Sequence, residues 1–174
     1  MDIPVIPVSE ATLKFATLLG QRIGVVTLYE PYWVIHYREL LRKYGLEAFC
    51  IDKDPVRSVD LTTNDAASKG MKEPKIIVEA VRRKAEELAE DGAEAIQVGC
   101  GMFSPICTMA GLSSVKDGRV PLLDPLLVGL KTAEMMVTFH QTLGMPFRRG
   151  LNAYNPIPMD DLNRIRRSFN LPPV

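Results

Sequence analysis

The sequence predicts an α/β fold: a parallel, four-stranded, doubly wound sheet with helices on both faces. Two observations predict it. Short, continuous apolar runs alternate along the chain with stretches whose apolar residues recur at helical spacing, and such runs are typical of strands that are buried on both faces. Glycine and proline residues stand at the ends of the runs and divide them into separate elements. Strand and helix in alternation are the pattern of a parallel sheet covered by helices.

The first half of the chain is predicted to hold two strands and two long helices. Ser9 is expected to cap the first helix, because a serine hydroxyl accepts backbone N–H groups at helix starts, and Gly20 is expected to end it. The polar stretch 52–74 is too long for a bare loop, so it is predicted to hold a short helix or a mobile flap. The other elements are a strand over 23–27, a helix over 32–44 and a strand over 46–51.

The second half begins with a clearly amphipathic helix over 75–90, with apolar residues on one face and charges on the other. A strand that ends at Cys100 follows. Ser104 and Pro105 are expected to be the cap and the first position of the next helix, and Asp124 is expected to cap the last long one. The other elements are a helix over 104–112, a strand over 120–124, a helix over 126–141, and a short helix over 160–169 in a mostly extended, proline-rich end.

Composition excludes several classes of protein. The chain has 174 residues, enough for one domain or for one domain and part of another, and 47% of them are hydrophobic, enough for a sizeable core. Lysine plus arginine and aspartate plus glutamate both number 21, so nothing in the charge favours a nucleic-acid partner. No apolar run is long enough to cross a bilayer, and no signal-peptide pattern opens the chain. Three cysteines without a paired spacing predict free thiols in a soluble, cytoplasmic protein with no membrane partner.

The expected order of the strands places two loops together. Right-handed crossovers put the second strand outside the first, and the third and fourth strands on the other side, as in flavodoxin-like and Rossmann-like sheets. The order then reverses between the first and third strands, and ligands bind where the order reverses. The loop over 27–29 is therefore expected beside the loop over 99–101. The crevice between these loops is expected to offer a thiol, a hydroxyl, a phenol and two helix amino termini.

Cys100 is the candidate catalytic residue. It follows the apolar run 95–98 and is flanked by Gly99 and Gly101, so it is expected at the carboxyl end of a buried strand, facing the start of the next helix. Backbone N–H groups and the helix dipole favour negative charge at such a position. The same field is expected to stabilise a thiolate, whose ordinary pKa is about 8.5. A cysteine at this position can act as a base next to a binding site for a carboxylate.

Six further residues on the same two loops are candidate substrate-binding residues: Thr27, Tyr29, Gly99, Gly101, Met102 and Ser104. Each side chain has a plainer interpretation, since Thr27 can simply finish its strand, Tyr29 can be a surface aromatic, and Ser104 can be a helix cap. Cys50 and Cys107 are interpreted as packing residues. The two histidines lack the spacing of metal ligands, so no metal site is predicted.

Several stretches of the chain resemble the Asp/Glu/hydantoin racemase superfamily, and its hydantoin racemase branch in particular. They are 16–27, 91–102, 120–125 and a tail segment over 148–156, so the resemblance reaches from about residue 4 to about residue 158. The Gly-Cys-Gly-Met context of Cys100 is its most specific part.

The resemblance implies a cofactor-independent racemase or epimerase made of two similar α/β halves, with the active site between them. One thiolate removes the proton α to a carboxylate or carbonyl, and a second thiol reprotonates the opposite face. Cys100 matches the cysteine of the second half. The implied substrate is a small carboxylate such as an amino acid, or a derivative such as a 5-substituted hydantoin.

The chain departs from the family pattern at its start, because the resemblance begins where the family's first half is ending. Residues 1–20 are therefore expected to be a remnant helix of that half, 21–142 the α/β domain with the cysteine loop, and 143–174 an extended tail. Neither Cys50 nor Cys107 stands in the context of the partner cysteine. The expected partners are other copies of the chain in a homo-oligomer, or a polypeptide that supplies the missing half.

Three alternatives stay open. Arylmalonate decarboxylases of the superfamily work with a single cysteine of the Cys100 type. Maleate isomerases carry Thr-Pro-Tyr where this chain has Thr27-Leu28-Tyr29. A chain without the first half can also be a non-catalytic domain that binds small carboxylates.

Overall fold

The computed structural model describes residues 3–70, 72–147 and 157–173. The chain divides into two compact units, one over Val5–Met135 and one over Met1–Pro4 with Met136–Val174. The first unit contains the whole sheet. The segment 148–156, where part of the family resemblance lies, is outside the described residues.

Five strands make up the sheet: β1 (Ile23–Thr27), β2 (Val56–Ser58), β3 (Ala95–Val98), β4 (Ser114–Val115) and β5 (Val120–Leu123). Their order is β2-β1-β3-β5-β4. All neighbours are parallel except β4, which pairs antiparallel with β5 at one edge. The predicted parallel, doubly wound sheet is confirmed, and the antiparallel edge strand is an addition to the four strands expected.

The helices of the described residues are α1 (Val8–Leu19), α2 (Pro31–Lys43), α3 (Thr63–Asp65), α4 (Pro74–Glu90), α5 (Phe103–Met109), α6 (Pro125–Leu143) and α7 (Met159–Ser168). The short helix predicted within 52–74 is α3, and a π-helical turn over Ala66–Gly70 follows it. Asp124 caps α6 as predicted, because its Oδ1 accepts the Leu126 N–H at 2.9 Å. Within the described residues, none of the helices is both long enough and apolar enough to traverse a bilayer.

Two apolar clusters cover the two faces of the sheet. Successive residues of a strand point to opposite faces, so Val26 joins the cluster beneath α4, while its neighbour Val25 joins the cluster beneath α1 and α2. The helices contribute fully buried side chains, such as Ile77 on α4 and Leu13 on α1. Each fully buried aliphatic side chain contributes roughly 1.5–3 kcal/mol to folding. Helices on both faces are therefore confirmed.

The predicted second strand over 46–51 is wrong. Its middle forms a 3₁₀ turn, and the segment meets β1 through an isolated bridge between Cys50 and Ile23. Leu46 and Cys50 are buried while the residues between them are exposed, which is the spacing of a turn and not of a strand. Ladder pairing with β1 begins at Val56, after a polar loop.

The predicted Ser9 cap is also wrong. The Pro7 carbonyl accepts the Ala11 N–H at 3.0 Å, so Ser9 lies inside the first turn of α1. Pro7, and not Ser9, has the extended backbone of a residue that precedes a helix. The Ser9 hydroxyl lies instead 3.3 Å from the hydroxyl of Tyr37.

Candidate active site

Two loops meet at the carboxyl ends of β1 and β3. The strands pair in register up to Val26 with Val98. The pairing continues one step further, because the Gly99 N–H donates to the Val26 carbonyl at 2.7 Å and the buried Thr27 hydroxyl donates to the Gly99 carbonyl at 3.3 Å. The structure therefore places side by side the two loops that the strand order predicts to be neighbours.

The Cys100 side chain is partly exposed at this edge of the sheet, with a free thiol. Burial raises the pKa of the Cys100 thiol above its ordinary value, and this effect outweighs the backbone N–H groups of Phe103 and Met102, which hydrogen bond to the sulfur and lower the pKa. The negative charge of Glu30 raises the pKa further. The backbone N–H groups therefore favour the thiolate as expected, but burial is the larger effect, and Cys100 is protonated at neutral pH.

The helix after Cys100 starts earlier than the sequence predicts. Met102 is the residue that precedes α5, and it makes no side-chain cap bond. Ser104 lies inside the first turn with 1% of its surface exposed, and its hydroxyl has no hydrogen-bond partner among the described residues. The prediction of a Ser104 cap with Pro105 as first helical residue is wrong, because the fully buried Phe103 side chain anchors the first turn in the core.

The remaining candidate binding residues differ in their exposure. Tyr29 exposes 51% of its surface and Gly101 is exposed, so both are open to a ligand. Gly99 is buried, and the partly buried Met102 packs against the apolar cluster beneath α4. The substrate-binding roles of these residues, of Thr27 and of Ser104 stay predictions.

Tyr37 supports the cysteine loop, although the sequence indicates only that it lies on the apolar face of a helix. Its hydroxyl accepts from Gln97 Nε2 at 3.3 Å and lies 3.3 Å from Ser9 Oγ. Its ring lies against Gly99, where an added Cβ would come within 2.8 Å of two ring carbons. Gln97 could have indicated this role of Tyr37, because a polar side chain in the middle of a buried strand needs a hydrogen-bond partner.

We expect the Tyr37→Phe variant to be less stable by about 1–3 kcal/mol. Phenylalanine keeps the ring against Gly99 but leaves the amide of the fully buried Gln97 without its acceptor. Urea unfolding followed by circular dichroism measures the change. Adding Gln97→Met removes the amide that has no acceptor, so the double variant is expected to recover part of the lost stability. A further, additive loss of stability contradicts the hydrogen bond between Tyr37 and Gln97.

Glu30 is the second residue of the site to which no sequence pattern points. It precedes Pro31, the first residue of α2, and its Oε1 accepts the Thr63 N–H at 2.8 Å. This hydrogen bond lowers the pKa of the Glu30 carboxyl, so the group is ionised at neutral pH. Its Oε2 is buried and has no partner among the described residues. Its position, as a charged residue directly after the loop over 27–29, could have indicated that it belongs to the site.

The other two cysteines are buried, as expected of packing residues. Burial raises the pKa of Cys50 to about 11 and that of Cys107 to about 12. Among the residues whose placement the structure gives, no group of three or more histidine, cysteine, aspartate or glutamate side chains is arranged to hold a metal ion.

Iodoacetamide is expected to label Cys100 before the other two thiols of the folded chain. At pH 8 the thiolate fraction is about one in 1,000 for Cys50 and about one in 10,000 for Cys107, given their pKa values of about 11 and about 12. Below the pKa of each thiol its thiolate fraction rises tenfold per pH unit, so the preference for Cys100 is expected to stay constant and to fall only above the pKa of Cys100 itself. Peptide mass spectrometry after timed labelling gives the order, and earlier labelling of either buried thiol contradicts the geometry.

Comparison with known proteins identifies relatives of this chain. Residues 1–133 match the model of the Asp/Glu/Hydantoin racemase family. A hydantoin racemase of Rhizobium meliloti is 30% identical over 143 residues, which cover 77% of this chain and 51% of that protein. The structure of allantoin racemase from Klebsiella pneumoniae is similar with a TM-score of 0.68 and 28% identity, over 90% of this chain and 58% of that one.

A second solved structure, allantoin racemase from Pseudomonas fluorescens, shares the fold with a TM-score of 0.63 and 24% identity, over 91% of this chain and 63% of that one. The chain spans about half the length of the hydantoin racemases that it matches. Since the family model covers most of its residues, the chain belongs to the Asp/Glu/hydantoin racemase family.

Proposed function

We propose that this chain contributes the acid/base residue Cys100 to a cofactor-independent racemase or epimerase acting at the α-carbon of an amino acid or a derivative such as a hydantoin. One observation carries the proposal: the Cys100 thiol is partly exposed at the shared edge of β1 and β3, with backbone N–H groups directed at its sulfur. Membership of the racemase family and the likeness to hydantoin and allantoin racemases support it.

The raised pKa of Cys100 determines the role that it takes first. A protonated thiol donates, so the resting Cys100 is the acid that delivers a proton to one face of the α-carbon. In the reverse direction the same sulfur, as a thiolate, removes that proton. Negative charge that develops on the substrate's carbonyl oxygen is stabilised by backbone N–H groups of the loop after Cys100, with that of the exposed Gly101 among them.

Racemisation also needs an acid/base group on the opposite face of the carbon, which one thiol cannot reach. Cys50 and Cys107 do not fit this role, because both are buried and their pKa values lie at about 11 and about 12. We place the second group on a partner polypeptide or on another copy of the chain.

Deuterium exchange at the α-carbon tests the proposal. Each enantiomer of a 5-substituted hydantoin is incubated with the chain in D₂O, and proton NMR follows the α-hydrogen while polarimetry follows racemisation. We expect one enantiomer to exchange faster than in a protein-free blank without racemising, because the thiolate fraction of Cys100 removes the α-hydrogen and, once its S–H has exchanged with D₂O, returns deuterium to the same face. Racemisation then indicates a completed two-group site, and exchange no faster than the blank with either enantiomer contradicts the proposal.

The presence of one partly exposed thiol among the described residues also favours a second candidate, single-thiol decarboxylation of an arylmalonate. Loss of carbon dioxide leaves a carbanion, which one acid can protonate. Release of carbon dioxide from phenylmalonate separates this reaction from racemisation. Binding of a carboxylate with neither exchange nor decarboxylation identifies a non-catalytic domain.

A further inference from the structure

Glu30 holds a fixed carboxylate at the edge of the candidate active site. It lies three residues beyond Thr27, in the connection from β1 to α2, at the same edge of the sheet as the Cys100 loop. Its Oε1 accepts the Thr63 N–H at 2.8 Å, which ties the carboxylate to the segment that follows β2. One oxygen is therefore occupied by the protein itself, and the direction of the carboxylate is set.

The other oxygen, Oε2, is buried and has no donor among the described residues. A carboxylate oxygen is an acceptor only, so it is satisfied when a ligand brings an N–H or O–H group. Ser104 supplies a second unpaired polar atom one helical turn after Cys100: its side chain is 1% exposed and its hydroxyl has no partner in the described structure. An acceptor thus lies directly after the loop over 27–29, and a donor lies in the first turn of the helix that follows the Cys100 loop.

Among the described residues, Glu30 is the charged side chain that acts on the Cys100 thiol. The charge of Glu30 raises the pKa of the Cys100 thiol. The segments 27–37 and 99–107 contain no lysine or arginine, so neither loop offers a cation to a substrate carboxylate. A dicarboxylate such as aspartate would bring more negative charge to Glu30, whereas a neutral ring amide brings an N–H donor and a carbonyl acceptor.

We propose that Glu30 is a specificity-determining residue, whose free carboxylate oxygen accepts an N–H of the substrate and so selects neutral cyclic amides of the hydantoin class over amino dicarboxylates. The inference rests on the proposed function for its site, but it concerns binding. The ring N–H pairs with Glu30, and the Ser104 hydroxyl is the complementary donor for a ring carbonyl.

Binding of 5-methylhydantoin, L-aspartate and L-alanine to the full chain, measured by isothermal titration calorimetry, tests the proposal. We expect the Glu30→Gln variant to bind 5-methylhydantoin about tenfold more weakly and L-aspartate more tightly than the unaltered chain, because a charge-assisted hydrogen bond is lost and repulsion is removed. Glu39→Gln, an exposed change on α2, the helix that follows Glu30, is the control and is expected to change neither affinity.

Three results overturn the proposal: an unchanged ratio of hydantoin to aspartate affinity in Glu30→Gln, tighter binding of L-alanine than of 5-methylhydantoin to the unaltered chain, and no binding of 5-methylhydantoin. Circular dichroism confirms that Glu30→Gln is folded, and Glu30→Asp, which keeps the charge, is expected to retain the preference for hydantoin. Deuterium exchange separates the two proposals. If the unaltered chain exchanges deuterium but Glu30→Gln leaves the ratio of hydantoin to aspartate affinity unchanged, only the role of Glu30 is rejected. If Glu30→Gln changes that ratio but the unaltered chain does not exchange deuterium, only the racemase activity is rejected.

Discussion

The Cys100→Ser variant is expected to lose α-deuterium exchange by about 10²- to 10⁴-fold, the usual contribution of a positioned acid/base group. A serine hydroxyl has nearly the size of a thiol but is a much weaker acid, so it keeps the shape of the loop and loses the proton transfer. Proton NMR of each enantiomer of a 5-substituted hydantoin in D₂O measures the rate. An exchange rate equal to that of the unaltered chain rejects Cys100 as the acid/base residue.

Cys50→Ser is the matched control for this experiment. The Cys50 thiol is buried and donates to the Leu46 carbonyl at 3.4 Å, a hydrogen bond that a serine hydroxyl can also make. We therefore expect exchange at the rate of the unaltered chain. A loss as large as that in Cys100→Ser indicates that cysteine replacement harms the fold in general, which thermal unfolding of both variants reveals.

The Gly99→Ala variant is expected to lower both stability and exchange. A methyl group at Gly99 would lie 2.8 Å from two carbons of the Tyr37 ring, which is too close for either group to stay in place. Overpacking of this kind costs about 1–3 kcal/mol. The displaced loop carries Cys100, and a displacement of about 1 Å at a reacting group can lower a rate by about 10²-fold.

Gly101→Ala is the control within the same loop. The nearest atom to an added methyl group there is a Leu126 side-chain carbon at 3.9 Å, an ordinary contact distance. We expect its stability in urea to stay within about 0.5 kcal/mol of the unaltered chain, as for most surface changes. Equal losses of stability in the two alanine variants contradict the support of Gly99 by Tyr37.

The strands at the centre of the sheet were predictable, whereas its edge was not. The residues of β1 and β3 are buried on both faces, and a continuous apolar run is the direct signature of such burial. The segment 46–51 carries the same kind of apolar residues, but its middle forms a 3₁₀ turn in which Phe49 is 39% exposed. A short apolar run does not distinguish such a turn from a strand.

The meeting of the two loops at Cys100 was also predictable, because it follows from strand order. The hydrogen bonds that support the site were not predictable, because they join residues far apart in the sequence. Tyr37 and Gln97 are 60 positions apart, and Glu30 and Thr63 are 33 apart. At Cys100 the pKa-lowering effect of the backbone N–H groups was predictable, whereas the larger, opposing effect of burial was not. Backbone N–H groups at a helix start can be inferred from sequence, but the depth at which the sulfur is buried depends on how the whole loop packs.

The two edges of the sheet are short, with three residues in β2 and two in β4. An edge strand offers unpaired backbone groups to which a strand of another molecule can add, as in fibrous aggregates. So few residues provide little template for such growth, and we expect copies of this chain to resist joining their sheets into fibres. The leucines at positions 126, 127 and 130 of α6 are exposed, and we expect contacts between copies to use such helix surfaces and not the edges of the sheet.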